Sequence, residues 1–202
     1  TTKRGRAIKD KYGGFVFTIY EASISTDGEI RNAKAIEKTE LGQFNMSVST
    51  YSKDGKFMYF TTNHIGKGSN KLHGMETYNL QIQRAEYVEG RGWTNFTTLP
   101  FCDHDFNFAH PALSPDDSTL YFIADVKGTK GKSDLYKVSV SNHDTYGEVT
   151  KLNDNINSSR TEFYPFVSAD NKLYFSSDRR GGKGGLDIYV YDLNSDDEDQ
   201  IA

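Results

Sequence analysis

Hydrophobic positions in this chain come in short bursts, fenced by Ser, Asp, Asn and Gly, as in Phe57-Met58-Tyr59-Phe60-Thr61-Thr62 following Ser52-Lys53-Asp54-Gly55. Elsewhere apolar and polar residues alternate, as in Leu135-Tyr136-Lys137-Val138-Ser139-Val140. Short runs of this kind, rich in aromatic and β-branched residues, predict half-buried strands rather than helices. The first burst returns twice. Ser114-Pro115-Asp116-Asp117 leads into Leu120-Tyr121-Phe122-Ile123-Ala124, and Ser168-Ala169-Asp170-Asn171 leads into Leu173-Tyr174-Phe175-Ser176-Ser177. From Ser52 to Ser114 is 62 residues and from Ser114 to Ser168 is 54. That period suits a four-stranded propeller blade with generous loops and is too long for a helical solenoid unit.

Each part of the unit has a physical reading. Ser52, Asp54 and Gly55 build a tight turn, in which the small polar side chains bond the backbone and the glycine accepts positive φ; Ser114 with Asp116 and Ser168 with Asp170 repeat it, with Asp117 and Asn171 at the glycine position. The strand before the turn contains His110-Pro111 in one copy and Tyr164-Pro165 in the next. The strand after it contributes the ring pairs Tyr59-Phe60, Tyr121-Phe122 and Tyr174-Phe175, expected to pack between neighbouring blades. A loop rich in Gly, Lys and Asn follows, seen as Gly66-Lys67-Gly68 and as Arg179-Arg180-Gly181-Gly182-Lys183-Gly184-Gly185. It feeds a third strand, read at Asp134-Leu135-Tyr136, at Asp187-Ile188-Tyr189 and, without the aspartate, from Thr77 to Ala85. The outermost strand is polar, from Trp93 to Leu99 and from Tyr146 to Leu152, as an edge must be to avoid pairing with strangers.

The start of the chain fits the third and fourth strands of a copy whose first two are missing, with Thr18-Ile19-Tyr20 in the third strand and Ile30 to Ile36 as the fourth. The predicted organisation is all-β: a partial copy over 1–40, full blades over 41–101 and 102–154, a partial one over 155–195, and an acidic linker at 196–202. That amounts to thirteen strands, a partial ring of three to four blades, and the expectation is a segment of a longer protein; the alternative is a four-bladed ring in which the two partial blades complement each other.

His110-Pro111-Ala112-Leu113-Ser114-Pro115-Asp116-Asp117, Leu120-Tyr121-Phe122 and Gly184-Gly185-Leu186-Asp187-Ile188-Tyr189-Val190 together resemble the WD40-like propeller repeat of Tol-type periplasmic proteins, over nearly the whole chain. Tyr164-Pro165-Phe166-Val167-Ser168, with its Gly-rich loop, is similar to the version in Bacteroidota envelope proteins that join helical repeats, a propeller and a peptidoglycan-binding OmpA-like domain, some of them in type 9 secretion and gliding. The resemblance implies a periplasmic, outer-membrane-associated scaffold whose partners are other envelope proteins, with peptidoglycan held by a domain outside this chain. The sequence departs from the family at Met46-Ser47-Val48, where His-Pro or Tyr-Pro is expected, and at Asp117 and Asn171 in place of the turn glycine.

Charge and candidate chemistry refine this picture. With 24 basic and 28 acidic side chains interspersed, no basic field exists to draw nucleic acid. No apolar run is long enough to span a membrane. The single cysteine, Cys102, reads as a small packed residue. Asp103-His104-Asp105 is the densest titratable set, but neighbours along a strand point to opposite faces, so the expectation is a partner-facing loop rather than a metal or catalytic centre. The remaining histidines lie in separate loops without ligand spacing. The Gly-rich loop precedes a strand, not the helix that a phosphate cradle requires. Asp196-Asp197-Glu198-Asp199 lacks the glycine and terminal glutamate of a calcium loop. No cofactor or metal is therefore expected, and the leading reading is a non-catalytic protein-interaction scaffold. The alternative is a propeller-type glycoside hydrolase or a propeller attached to a peptidase; glycan binding without hydrolysis ranks last because Trp93 is the single tryptophan.

Overall fold

The computed structural model describes residues 17–36, 45–63 and 79–195, and these form fourteen strands in four antiparallel sheets. The first sheet pairs β1 (Tyr20–Ile24) with β2 (Ile30–Ala35). The second runs in order through β3 (Met46–Tyr51), β4 (Phe57–Thr62), β5 (Gln81–Val88) and β6 (Gly92–Thr98). The third contains β7 (Phe108–Leu113), β8 (Thr119–Ala124) and β9 (Asp134–Ser141), with two short pieces on its outer edge, β10 (Thr145–Tyr146) and β11 (Thr150–Lys151), both paired to β9. The fourth is β12 (Glu162–Val167), β13 (Lys172–Ser177) and β14 (Asp187–Asp192).

One strand more than the expected thirteen arises in the third sheet, where the run from Tyr146 to Leu152 is broken. Tyr146 and Val149 both pack against the same core. Residues three apart on a continuous strand face opposite ways, so the chain leaves the ladder between them, and the Gly147 N–H bonds Ser139 O at 3.1 Å.

The paired rings of β4, β8 and β13 divide between the cores on either side of their sheet, because successive strand residues point to opposite faces. Tyr59 joins the core shared with the third sheet, beside Phe108, Phe122 and Tyr136, whereas Phe60 joins the core shared with the first, beside Met46 and Ile36. Tyr121 and Phe175 meet in the core between the third and fourth sheets. Tyr59, Phe60 and Phe122 lose all solvent contact, and burying each such side chain contributes about 2–3 kcal/mol.

The sheets are joined by one hydrogen-bond scheme used three times. The Met46 N–H bonds Phe17 O at 3.0 Å, Phe108 N–H bonds Leu80 O at 2.8 Å, and Glu162 N–H bonds Ser133 O at 3.2 Å. Beside each of these bonds, a side chain beyond the second strand takes the N–H just before the first: Asn63 Oδ1 from Asn45 at 3.0 Å, Asp125 Oδ1 from Asn107 at 2.6 Å, and Asp178 Oδ1 from Thr161 at 2.8 Å. The scheme fixes the register of the first sheet. The Ile36 N–H bonds Ile19 O as Leu99 bonds Ile82 and Leu152 bonds Leu135, so β1 and β2 occupy the place of third and fourth strands. Of the strands nearest the axis, β7 approaches both β3 and β12 directly.

Candidate functional site

The turn between first and second strands is a closed polar knot. The Ser52 hydroxyl donates to Asp54 Oδ1 at 2.7 Å while accepting the Phe57 N–H at 2.9 Å, and Asp54 Oδ1 also accepts Lys56 N–H at 3.0 Å. Ser114 and Asp116 repeat these contacts; Ser168 likewise donates to Asp170 and accepts the Lys172 N–H, while Asp170 takes the Lys172 side chain in place of a backbone N–H. Gly55, Asp117 and Asn171 hold φ of 71°, 62° and 58°. These bonds keep all three carboxyls down at about 2: for Asp54 the Lys56 N–H matters most, for Asp116 the Ser114 hydroxyl, and for Asp170 the Lys172 side chain. The same turn occurs a fourth time, at Ser25-Thr26-Asp27-Gly28 between β1 and β2.

Asp134 and Asp187 organise the loops ahead of the third strands. Asp134, wholly buried, accepts the Lys130 N–H at 2.7 Å and the Gly131 N–H at 3.2 Å and pairs with Lys151 at 2.9 Å. Asp187 accepts the Lys183 N–H at 2.8 Å, and a Cβ on Gly182 would stand 2.0 Å from its carboxylate. The Gly-rich loop is thus folded around an aspartate of its own chain. Tyr136 and Tyr189 follow two residues later, each packed against an inter-sheet core.

His110-Pro111 and Tyr164-Pro165 form bulges at one height on the axis-lining strands. Val48, His110 and Tyr164 have φ of 34°, 55° and 52°, each at the register break of its strand. Val48-Ser49 is therefore the counterpart of the His-Pro pair, built with different residues. The His110 ring stacks on Tyr164 with centroids 4.2 Å apart, and burial pushes the imidazole down to about 4. It is a neutral spacer at ordinary pH.

The loop after β6 carries Asp103, His104 and Asp105 with their side chains exposed. Its backbone is pinned from below: the buried Gln81 amide donates to Phe106 O at 3.0 Å and to Asp103 O at 3.3 Å, and Asn79 donates to His104 O at 2.9 Å. Asp103 Oδ1 accepts the Asp105 N–H at 2.9 Å and so serves the turn itself. Among the described residues no three His, Cys, Asp or Glu side chains gather around one point. Beside the loop lies a cavity of about 520 Å³ lined by Phe101, Phe106, Val126 and Tyr136 together with Asp103, Asp105 and Lys127. Cys102 packs under the same loop, where burial pushes its thiol up to about 12; it is no nucleophile at neutral pH.

A TolB-assigned protein of Agrobacterium tumefaciens superposes on this arrangement with a TM-score of 0.53 and 15% identity, over 86% of this chain and 57% of that one. The chain folds as part of a TolB-like β-propeller. It spans little more than half of that neighbour, and each sheet corresponds to a blade. Two further structures align less well: a puromycin-hydrolysing peptidase of Mycobacterium tuberculosis at TM-score 0.46 and 14% identity, over 79% of this chain and 23% of that one, and the hydrazine synthase of Kuenenia stuttgartiensis at 0.42 and 14%, over 83% and 49%. By sequence, no known family and no curated protein matches the chain.

Sequence reading found the turn and the ring pairs but missed Asn45 and Asn107, whose Oδ1 atoms accept the Phe17 and Leu80 N–H of the preceding blade, and Asp125 and Asp178, which tie the second strand of a blade to the start of its first. Their signal was present: an Asn, Asp or Thr just before the first strand and an Asn or Asp just after the second recur in every copy. The loop that includes Gly66-Lys67-Gly68 and the acidic stretch 196–202 lie outside the described residues.

Proposed function

We propose that this chain is part of a propeller scaffold that holds other proteins together in a bacterial cell envelope and carries out no chemistry itself. The observation behind this reading is the loop at 101–106, whose backbone is pinned by Gln81 and Asn79 while its acidic and imidazole side chains face solvent beside an aromatic-walled cavity. A rigid loop of this kind binds with little ordering cost. The periplasmic setting rests on the TolB-like fold and the Tol-type repeat. The finer assignment, to a peptidoglycan-associated outer-membrane or type 9 secretion and gliding assembly, rests on the Tyr164-Pro165 and Gly-rich segments of the sequence.

The test is photo-crosslinking of the full-length protein in native envelopes, with the probe at His104 or at Lys127 and products identified by mass spectrometry. A reproducible adduct with one envelope protein, lost when the probe is moved to Lys151 on the outer edge of the third blade, supports the reading. Absence of any adduct from either loop position overturns it.

A further inference from the structure

A larger groove, of about 700 Å³, opens between the first and second blades. Its two walls differ in chemistry. On the second blade, Tyr87 and Trp93 are cross-strand partners on β5 and β6, their rings edge to face at 5.4 Å, and Tyr51 extends the cluster 5.8 Å from Trp93. Tyr51 and Tyr87 keep 44% and 42% of their surface exposed. The facing wall, from the first blade, carries Ser23, Asn32 and Lys34, with Glu21 nearby; Arg91 stands on the turn between Gly90 and Gly92. Lys34 lies across the ladder from Glu21, and among the described residues neither Lys34 nor Arg91 closes an ion pair with a carboxylate.

We propose that this groove binds an acidic oligosaccharide, a chain of sugar rings bearing carboxylates. A sugar ring is amphiphilic: its C–H face suits the face of a tyrosine or tryptophan, and its hydroxyl girdle needs short polar groups on the other side. Here the aromatic wall and the Ser23–Asn32 wall supply those two requirements across one gap. Lys34 and Arg91 supply the cations for carboxylates, which in a half-enclosed groove make charge-assisted hydrogen bonds. Single-stranded nucleic acid also combines flat groups with negative charge, but successive bases need parallel stacking platforms. The rings of Tyr87 and Trp93 are inclined at 70° and so offer no such parallel platforms.

Trp93 is the only tryptophan in the chain, so its emission reports on this groove alone. The protein is titrated with an oligogalacturonate, with a neutral cello-oligosaccharide and with oligothymidylate, and binding is followed by Trp93 fluorescence and independently by calorimetry. Saturable binding of the oligogalacturonate is expected, with the neutral sugar weaker by about tenfold and Lys34→Ala or Arg91→Ala each weakening the acidic sugar by about fivefold to tenfold. Both residues stand on the surface, so the variants should fold as the parent does. Silence with the acidic sugar in both readouts, binding unchanged in both variants, or preference for oligothymidylate overturns the proposal.

Discussion

Two regions of each blade behave in opposite ways under repetition. The turn between first and second strands is built alike wherever it occurs, from a serine, an aspartate two residues on and a positive-φ residue. The first residue of the first strand is not. That slot, which faces the preceding blade, holds Met46 in the second blade and Phe108 in the third. In the fourth it holds Glu162, wholly buried.

Glu162 is accommodated by a polar cage. Its Oε1 accepts Ser158 Oγ at 2.6 Å and Ser177 Oγ at 2.9 Å and lies 3.4 Å from Arg179. The arginine in turn bonds the carbonyls of Asn155 and Ile156 and lies over the rings of Phe175 and Tyr189. Val126 stands at the equivalent place in the third blade. A repeat therefore keeps its local turns and the backbone bonds that join one blade to the next, and exchanges the side chains packed between blades, provided each exchange is compensated as a set.

The comparison breaks most sharply if a carboxylate is placed where its cage is missing. Phe108→Glu should cost about 4 kcal/mol or more, because it removes a core ring and buries a charge without an arginine; urea denaturation reads it, and a loss below about 1 kcal/mol would mean that the slot is not selective. Next in size is Arg179→Met, which leaves Glu162 buried without its cation and should cost about 3–5 kcal/mol. Adding Glu162→Met, which gives the fourth blade the second blade's residue, should restore all but about 1–2 kcal/mol. If the double variant is no better than the single, the cage is not a set.

At the conserved end of the comparison, Ser52→Ala and Ser114→Ala should cost about 1 kcal/mol each and nearly the same amount, since each removes equivalent bonds. Acid unfolding sharpens the contrast by the smallest margin. Asp54, Asp116 and Asp170 titrate lower in the fold, at about 2, than their usual 3.8. Their contribution is therefore complete above about pH 4 and disappears as pH falls through about 2. Ser114→Ala should move the onset of acid unfolding, followed by circular dichroism, to higher pH; an unmoved onset would show that the knot carries no linked stability.

What was legible in the sequence follows the same division. Ser52-Lys53-Asp54-Gly55 and Tyr59-Phe60 announce a turn and a strand because their physics closes within a few residues. The Ser25-Thr26-Asp27-Gly28 turn is equally local yet passed unread, since it joins third and fourth strands and breaks the period. Glu162 could not be read, because a glutamate beside Phe163 looks like a polar strand position until Arg179 folds across it. The groove was hidden for the same reason: Lys34 meets Tyr87 and Trp93 only once two blades are assembled. The pinned loop was half legible, its polarity visible in Asp103-His104-Asp105 and its support from Asn79 and Gln81 not.

The bulges at Val48, His110 and Tyr164 bear on how the ring interior stays solitary. An axis-lining strand has one bare margin, and bare margins invite foreign chains to zip on and begin aggregation. Here that margin is interrupted at one height in three successive blades, twice with a proline that has no N–H to offer. The exposed donors beside the breaks are already taken: His110 N–H by Thr61 Oγ1 at 2.8 Å and Leu113 N–H by Thr50 Oγ1 at 3.2 Å, both from the blade before. The second blade thus disarms the margin of the third, His110 Nδ1 takes the Tyr164 N–H of the fourth at 3.4 Å, and an extended peptide laid along these strands would find no continuous template along which to crystallise into a sheet.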